Sequence, residues 1–162
     1  MRITIDVSQM AYQGTGVSRY TFELCRSLLL SNSSHEFIFW AGSLRQQAYF
    51  KNLSKQAPWS SAKWLIHPLP PKIAGPLFNF LPTTFDAMFD QPDLLHTSDW
   101  GEPNSVCPRV TTVHDLVFAK YPNTLDPLIL KTQLRRISKL QKNHTTIIAD
   151  SMNTKNDLVE MY

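Results

Sequence analysis

Apolar and polar residues alternate at the start of the chain. Ile3, Ile5 and Val7 enclose Thr4 and Asp6, which is the period of a strand. From Val17 the period changes: Val17, Tyr20, Leu24 and Leu28 fall on one helical face, with Cys25 and Leu29 beside them. Between strand and helix runs a loop that ends in Gly14-Thr15-Gly16. After a polar break at 31–34, residues 36–40 (EFIFW) are apolar on both faces, which predicts a strand buried inside a parallel sheet. Residues 43–56 form a weak helical pattern closed by Pro58, and 63–67 (KWLIH) a third strand stopped by Pro68.

Residues 68–82 (PLPPKIAGPLFNFLP) read as a loop with one helical turn over 76–80. Its apolar groups either cover their own core or form a docking surface for a lipid or a partner. A short helix is expected over 83–89 and strands over 93–96 and 109–114. A long helix over 125–143 begins at Asp126-Pro127, and a sixth strand spans 145–149. Ser151 is placed to cap a last helix.

Six strands alternating with helices predict one α/β domain over 1–162, a Rossmann-like, doubly wound parallel sheet. Ligands bind such sheets outside the carboxyl ends of the strands. The candidates there are the Gly14–Gly16 loop, His67, His96, His114-Asp115 and Asp150-Ser151. A glycine loop opening a helix can hold an anion against unpaired amides; it can equally be a plain turn. It is not G-x-G-x-x-G, because Arg19 stands where the third glycine would be. The second strand ends in Trp40-Ala41-Gly42, with no acid to hold a ribose, so both features argue against a dinucleotide site.

His114 can donate to a phosphate, a sugar hydroxyl or a carbonyl. The alternative is a bond to a loop carbonyl, with Asp115 capping the next turn. His96, followed by Thr97-Ser98-Asp99, is similar, and His67, before Pro68, reads as structural. His35 and His144 flank strands at the wrong end of the sheet. No H-E-x-x-H, C-x-x-C or G-x-S-x-G occurs, so neither a metal site nor a serine hydrolase emerges.

Charge narrows the partners. Sixteen basic and thirteen acidic residues leave +3, too little to suggest nucleic acid. The bases Lys131, Arg135, Arg136, Lys139 and Lys142 read as a solvated helix face, with an anionic membrane surface as the functional alternative. Cys25 and Cys107 show no metal spacing or disulfide framework, which fits reduced thiols in a cytoplasm. Sequons at Asn32, Asn52 and Asn143 carry little weight beside the absence of a recognisable signal segment or membrane-length apolar run.

Taken in order, four stretches resemble the amino-terminal domain of the retaining glycosyltransferases of family 4, which have the two-domain GT-B fold. They are Ile3–Val7 with Gly14-Thr15-Gly16-Val17-Ser18-Arg19-Tyr20; Asp93-Leu94-Leu95-His96; Val113-His114-Asp115-Leu116; and Ile147-Ile148-Ala149-Asp150-Ser151 with Thr154 and Asp157. The likeness is greatest to mannosyltransferase-like members that build bacterial surface polysaccharides. The resemblance implies that Gly14, Thr15 and Gly16 face the donor diphosphate and sugar, and that His114 lies beside donor sugar and acceptor. It further implies that His96 lines the acceptor side and that Ser151 starts a helix near the domain junction.

The substrates it implies are a nucleotide-diphosphate sugar as donor and a glycan or lipid-linked acceptor, with no metal or other cofactor. The family grips the nucleotide mainly through a second domain, with an Arg/Lys pair and an E-x7-E motif, and these 162 residues contain no E-x7-E. A C-terminal donor-binding domain is therefore expected to be absent from this chain. The fragment is expected to fold, to be inactive alone, and to self-associate through its uncovered junction face. A non-catalytic sugar- or protein-binding domain is the competing expectation; a nucleotide-binding regulator is the weaker third.

Overall fold

The computed structural model describes residues 1–97 and 99–162; Ser98 lies outside the described residues. The chain forms an α/β sandwich around six parallel strands: β1 (Arg2–Asp6), β2 (Glu36–Gly42), β3 (Lys63–His67), β4 (Leu94–Thr97), β5 (Arg109–Val113) and β6 (Thr146–Ala149). Their order across the sheet is β3-β2-β1-β4-β5-β6. This is the doubly wound, Rossmann-like order, whose direction of growth reverses between β1 and β4. The helices are α1 (Gly16–Leu30), α2 (Gln47–Leu53), α3 (Pro71–Phe80), α4 (Val117–Lys120), α5 (Pro127–Lys142) and α6 (Met152–Met161).

β2 shows why the sheet needs cover on both sides. Phe37, Phe39 and Ala41 pack with Ile5, Val7, Met10, Cys25, Phe50 and Trp59. Trp40, between them, points into a separate cluster with Ala74, Phe78, Phe85, Phe89 and Leu95. Alternate residues of one strand therefore supply two cores. A third apolar cluster joins Val113 and Leu116 to Ile137 and Leu140 of α5. Burial of Cys25 pushes its thiol up in pKa, and neither cysteine is in a disulfide.

Two expectations change. Residues 71–80 form a full helix rather than a loop with one turn. Pro71 occupies the first turn, where no amide is needed, and Ala74, Gly75, Phe78 and Asn79 are buried. Gly75 permits the contact: a Cβ there would stand 2.8 Å from the Trp100 carbonyl oxygen. Residues 83–89, expected helical, form only a 3-10 turn over Asp86–Phe89. Thr84 instead bridges Asn104, while the Asp86 carboxylate accepts from Ser105 and from the Val106 amide.

The basic face of α5 is a correction as well. Arg136 is fully buried and Lys139 nearly so. Arg136 pairs with Asp99 at 3.2 Å and donates to Thr111 Oγ1 at 2.7 Å and to the Thr112 carbonyl at 3.2 Å. Lys139 donates to the Phe78 carbonyl at 2.7 Å, joining α5 to α3, and burial lowers its pKa to about 8. Lys131, Arg135 and Lys142 alone of the five face water. Among the described residues no helix is long and apolar enough to cross a membrane.

Candidate functional site

A crevice opens at the β1–β4 reversal, outside the carboxyl ends of the strands. Asp6 ends β1 and Gln9 follows it; His96 and Thr97 end β4; Thr112 lies near the end of β5 and His114 just after it; Val17, Tyr20, Thr21 and Leu24 of α1 form the facing wall. The crevice volume is ≈ 20 Å³, room for a water or one hydroxyl group.

Local structure sets each side chain. Asp6 Oδ1 accepts from the Ser8 amide at 3.0 Å and the Ser8 hydroxyl at 2.5 Å. Ser8 Oγ in turn accepts from the Gly42 amide at 2.7 Å, tying the loop after β1 to the end of β2. On the opposite wall, Tyr20 Oη and Thr112 Oγ1 are 3.2 Å apart, and His96 Nε2 lies 3.1 Å from the same Thr112 oxygen. One threonine thus links a helix phenol to a strand imidazole. The Tyr20 ring meets the His114 ring edge-on at 4.9 Å between centroids.

His114 is held on three sides. Its Nδ1 lies 2.7 Å from Asp150 Oδ2, its ring meets Tyr20, and its carbonyl accepts from Thr154 Oγ1 at 2.8 Å. With Asp150 ionised, Nδ1 carries the proton facing it, which leaves Nε2 as the atom available to a ligand. The imidazole is 14 % exposed, enough for a ligand to reach it. Ser151 supports this arrangement indirectly. It caps α6 by accepting from the Thr154 amide at 3.0 Å, and Thr154 then grips the His114 backbone.

His96 is tuned differently. Burial, and then the neighbouring His114, lower its pKa to about 4. The unfolded chain, with an ordinary imidazole, takes up this proton near 6.5, so the folded state binds fewer protons between the two values. Stability is therefore complete above about 6.5 and falls as pH drops toward 4. We expect a loss on the order of 2–3 kcal/mol over that window. Urea midpoints of wild type and His96→Gln across the window check it: the difference between the two curves must grow as pH rises, and a constant difference refutes it.

The remaining predicted residues stand outside the crevice. The 13–16 loop is exposed, with Gly14 at φ +87°. Thr15 caps its own helix, its hydroxyl accepting from the Ser18 amide at 3.2 Å, so the loop itself satisfies one amide that an anion would use. The Asp115 carboxylate is exposed and accepts from the Val117 amide at 3.0 Å, the local capping arrangement. His67 stacks on Trp40 with 5.7 Å between centroids.

The structure adds Asp6, Gln9, Tyr20 and Thr112 to the two histidines, and gives Asp150, already a strand-end candidate, the part of holding His114. None of these four stood out as a site residue in the sequence: Asp6 read as a polar position within the first strand and Tyr20 as part of the apolar face of the first helix. Among the described residues no group of three or more His, Cys, Asp and Glu converges to hold a metal. Compared with protein-family models, curated proteins and solved structures, the chain matches none.

Proposed function

We propose that this chain is the acceptor-side domain of a GT-B glycosyltransferase of the family 4 type. In this reading the intact enzyme moves a hexosyl group from a nucleotide-diphosphate sugar to a glycan or lipid-linked acceptor with retention. The observation that supports it best is His114, held by Asp150 at 2.7 Å with Nε2 left available, at the β1–β4 reversal. The bond from the anomeric carbon to the leaving phosphate oxygen breaks, a bond to the acceptor oxygen forms, and the acceptor hydroxyl's proton passes to the departing phosphate oxygen. His114 Nε2 then orients a sugar hydroxyl beside the reacting carbon and stabilises charge that develops there. His96, neutral in the physiological range, offers a hydrogen bond without a charge.

Grip on the nucleotide belongs to a second domain in this reading. In this reading the exposed Gly14-Thr15-Gly16 loop, which leads into Val17 of the crevice wall, would face the diphosphate, and Asp115 and Ser151 hold the loop and helix that frame His114. The small crevice favours one competing reading, a binding domain of the same fold that recognises a single sugar hydroxyl or a partner loop. The test is transfer of labelled hexose from a panel of nucleotide-diphosphate sugars to glycans and lipid extracts by the full gene product. Transfer with the anomeric configuration retained is expected. Saturable glycan binding without transfer to any acceptor would leave the binding-domain reading in its place.

A further inference from the structure

We propose that the α3–α5 face seats this protein on the surface of an anionic lipid bilayer. The two helices contain six Lys and Arg and no Asp or Glu, leaving ten bases against thirteen acids in the rest of the chain. The chain's small net charge thus conceals a strong segregation. Two of the six, Arg136 and Lys139, are consumed inside the fold. Lys72, Lys131, Arg135 and Lys142 remain outward.

Apolar side chains stand exposed among them: Ile73 at 57 %, Phe80 at 42 %, Leu128 at 62 % and Leu134 at 46 %. Lys131 Nζ and the Arg135 guanidinium each lie 5.8 Å from the Phe80 ring centroid. Charge and apolar area are therefore one surface, not two. A bilayer with anionic headgroups matches both at once, with cations at the headgroup level and apolar tips below it. Asp126, at the border, is occupied in capping α5, accepting from the Leu128 amide at 2.8 Å.

The face also leads to the crevice. A groove of ≈ 320 Å³ between Lys72, Pro76 and Leu128 is closed by Trp100. The Trp100 indole donates to Gln9 Oε1 at 3.1 Å, and Gln9 lines the crevice. The membrane surface stands without the transferase reading, and the two can be tested apart.

Sedimentation of the chain with vesicles is the experiment. Binding to phosphatidylcholine containing about 30 % phosphatidylglycerol is expected to exceed binding to phosphatidylcholine alone by at least about tenfold. It should weaken strongly at about 0.5 M salt, where the screening length drops to a few Å. Lys131→Glu with Arg135→Glu should lose about tenfold or more of that binding. Phe80→Ser with Leu134→Ser keeps every charge and should also lose binding, which separates insertion from simple counter-ion attraction. These positions are exposed, and unchanged melting confirms that each variant folds. His114→Ala should bind vesicles as wild type does, so a failure of transfer leaves this proposal untouched. Equal binding to both vesicles, no binding, or indifference to both double variants overturns it. A concentration-dependent dimer abolished by the same variants would assign the face to a second copy and overturn it too.

Discussion

In the transferase reading proposed above, His114→Ala should lower hexosyl transfer by the full gene product by about 10²–10³-fold, with the melting temperature of the chain nearly unchanged. The imidazole is partly exposed and packs edge-on against Tyr20 rather than inside an apolar cluster, so its loss costs the fold little. Asp150→Asn is the informative companion. It keeps the shape and the 2.7 Å neighbour but removes the negative charge that selects the Nδ1 proton. Transfer should fall by a smaller factor, because the imidazole keeps its place but loses the carboxylate that fixes its tautomer. Initial rates for wild type and both variants check this. Full activity in His114→Ala would remove His114 from the chemistry.

Arg136→Ala should destabilise the chain by about 3–5 kcal/mol, the largest single loss we expect. The guanidinium is fully buried and serves three groups at once: Asp99 after β4, the Thr111 hydroxyl and the Thr112 carbonyl on β5. Truncation leaves a cavity and strips Asp99 of its counter-charge. Asp99 also accepts at its carbonyl from Gln133 Nε2 at 3.0 Å, so α5 holds this segment twice. The segment borders the crevice, and Arg136→Ala should therefore weaken ligand binding as well as folding. Urea denaturation monitored by circular dichroism gives the first effect; a loss under about 1 kcal/mol, the range of exposed ion pairs, would show that the buried network is worth little.

Local signals were legible wherever a side chain meets its own backbone. Ser151 caps α6, and Asp126 before Pro127 opens α5, accepting from the Leu128 and Ile129 amides. The double-sided apolar run at 36–40 does lie within the sheet, paired on both edges. What escaped were features set by partners far along the chain. Arg136 and Lys139 share a helical face with Ile137 and Leu140, which argues for burial, but their charge argued for water. The Asp99 carboxylate and the Phe78 carbonyl, distant in sequence, decided it. The prolines at 71 and 76 concealed α3, although one sits in the first turn and the chain still buries Phe78. In the candidate site, strand-end histidines were visible as such. Tyr20 looked like one more apolar tooth of α1; only the parallel approach of β5 brings its hydroxyl to Thr112.

The last strand has a practical consequence. β6 pairs with β5 at one edge of the sheet, and among the described residues no strand lies on its other side. Ile147 and Ile148, which point to opposite faces, are 37 % and 40 % exposed, and Thr146–Ala149 carries no charge to repel a visitor. Such a margin is a template for intermolecular ladder growth, in register with the sheet's own spacing. Concentrated purified material is therefore expected to associate through this edge, which light scattering over a dilution series checks. A lysine at position 148 is the gatekeeper that the native strand lacks.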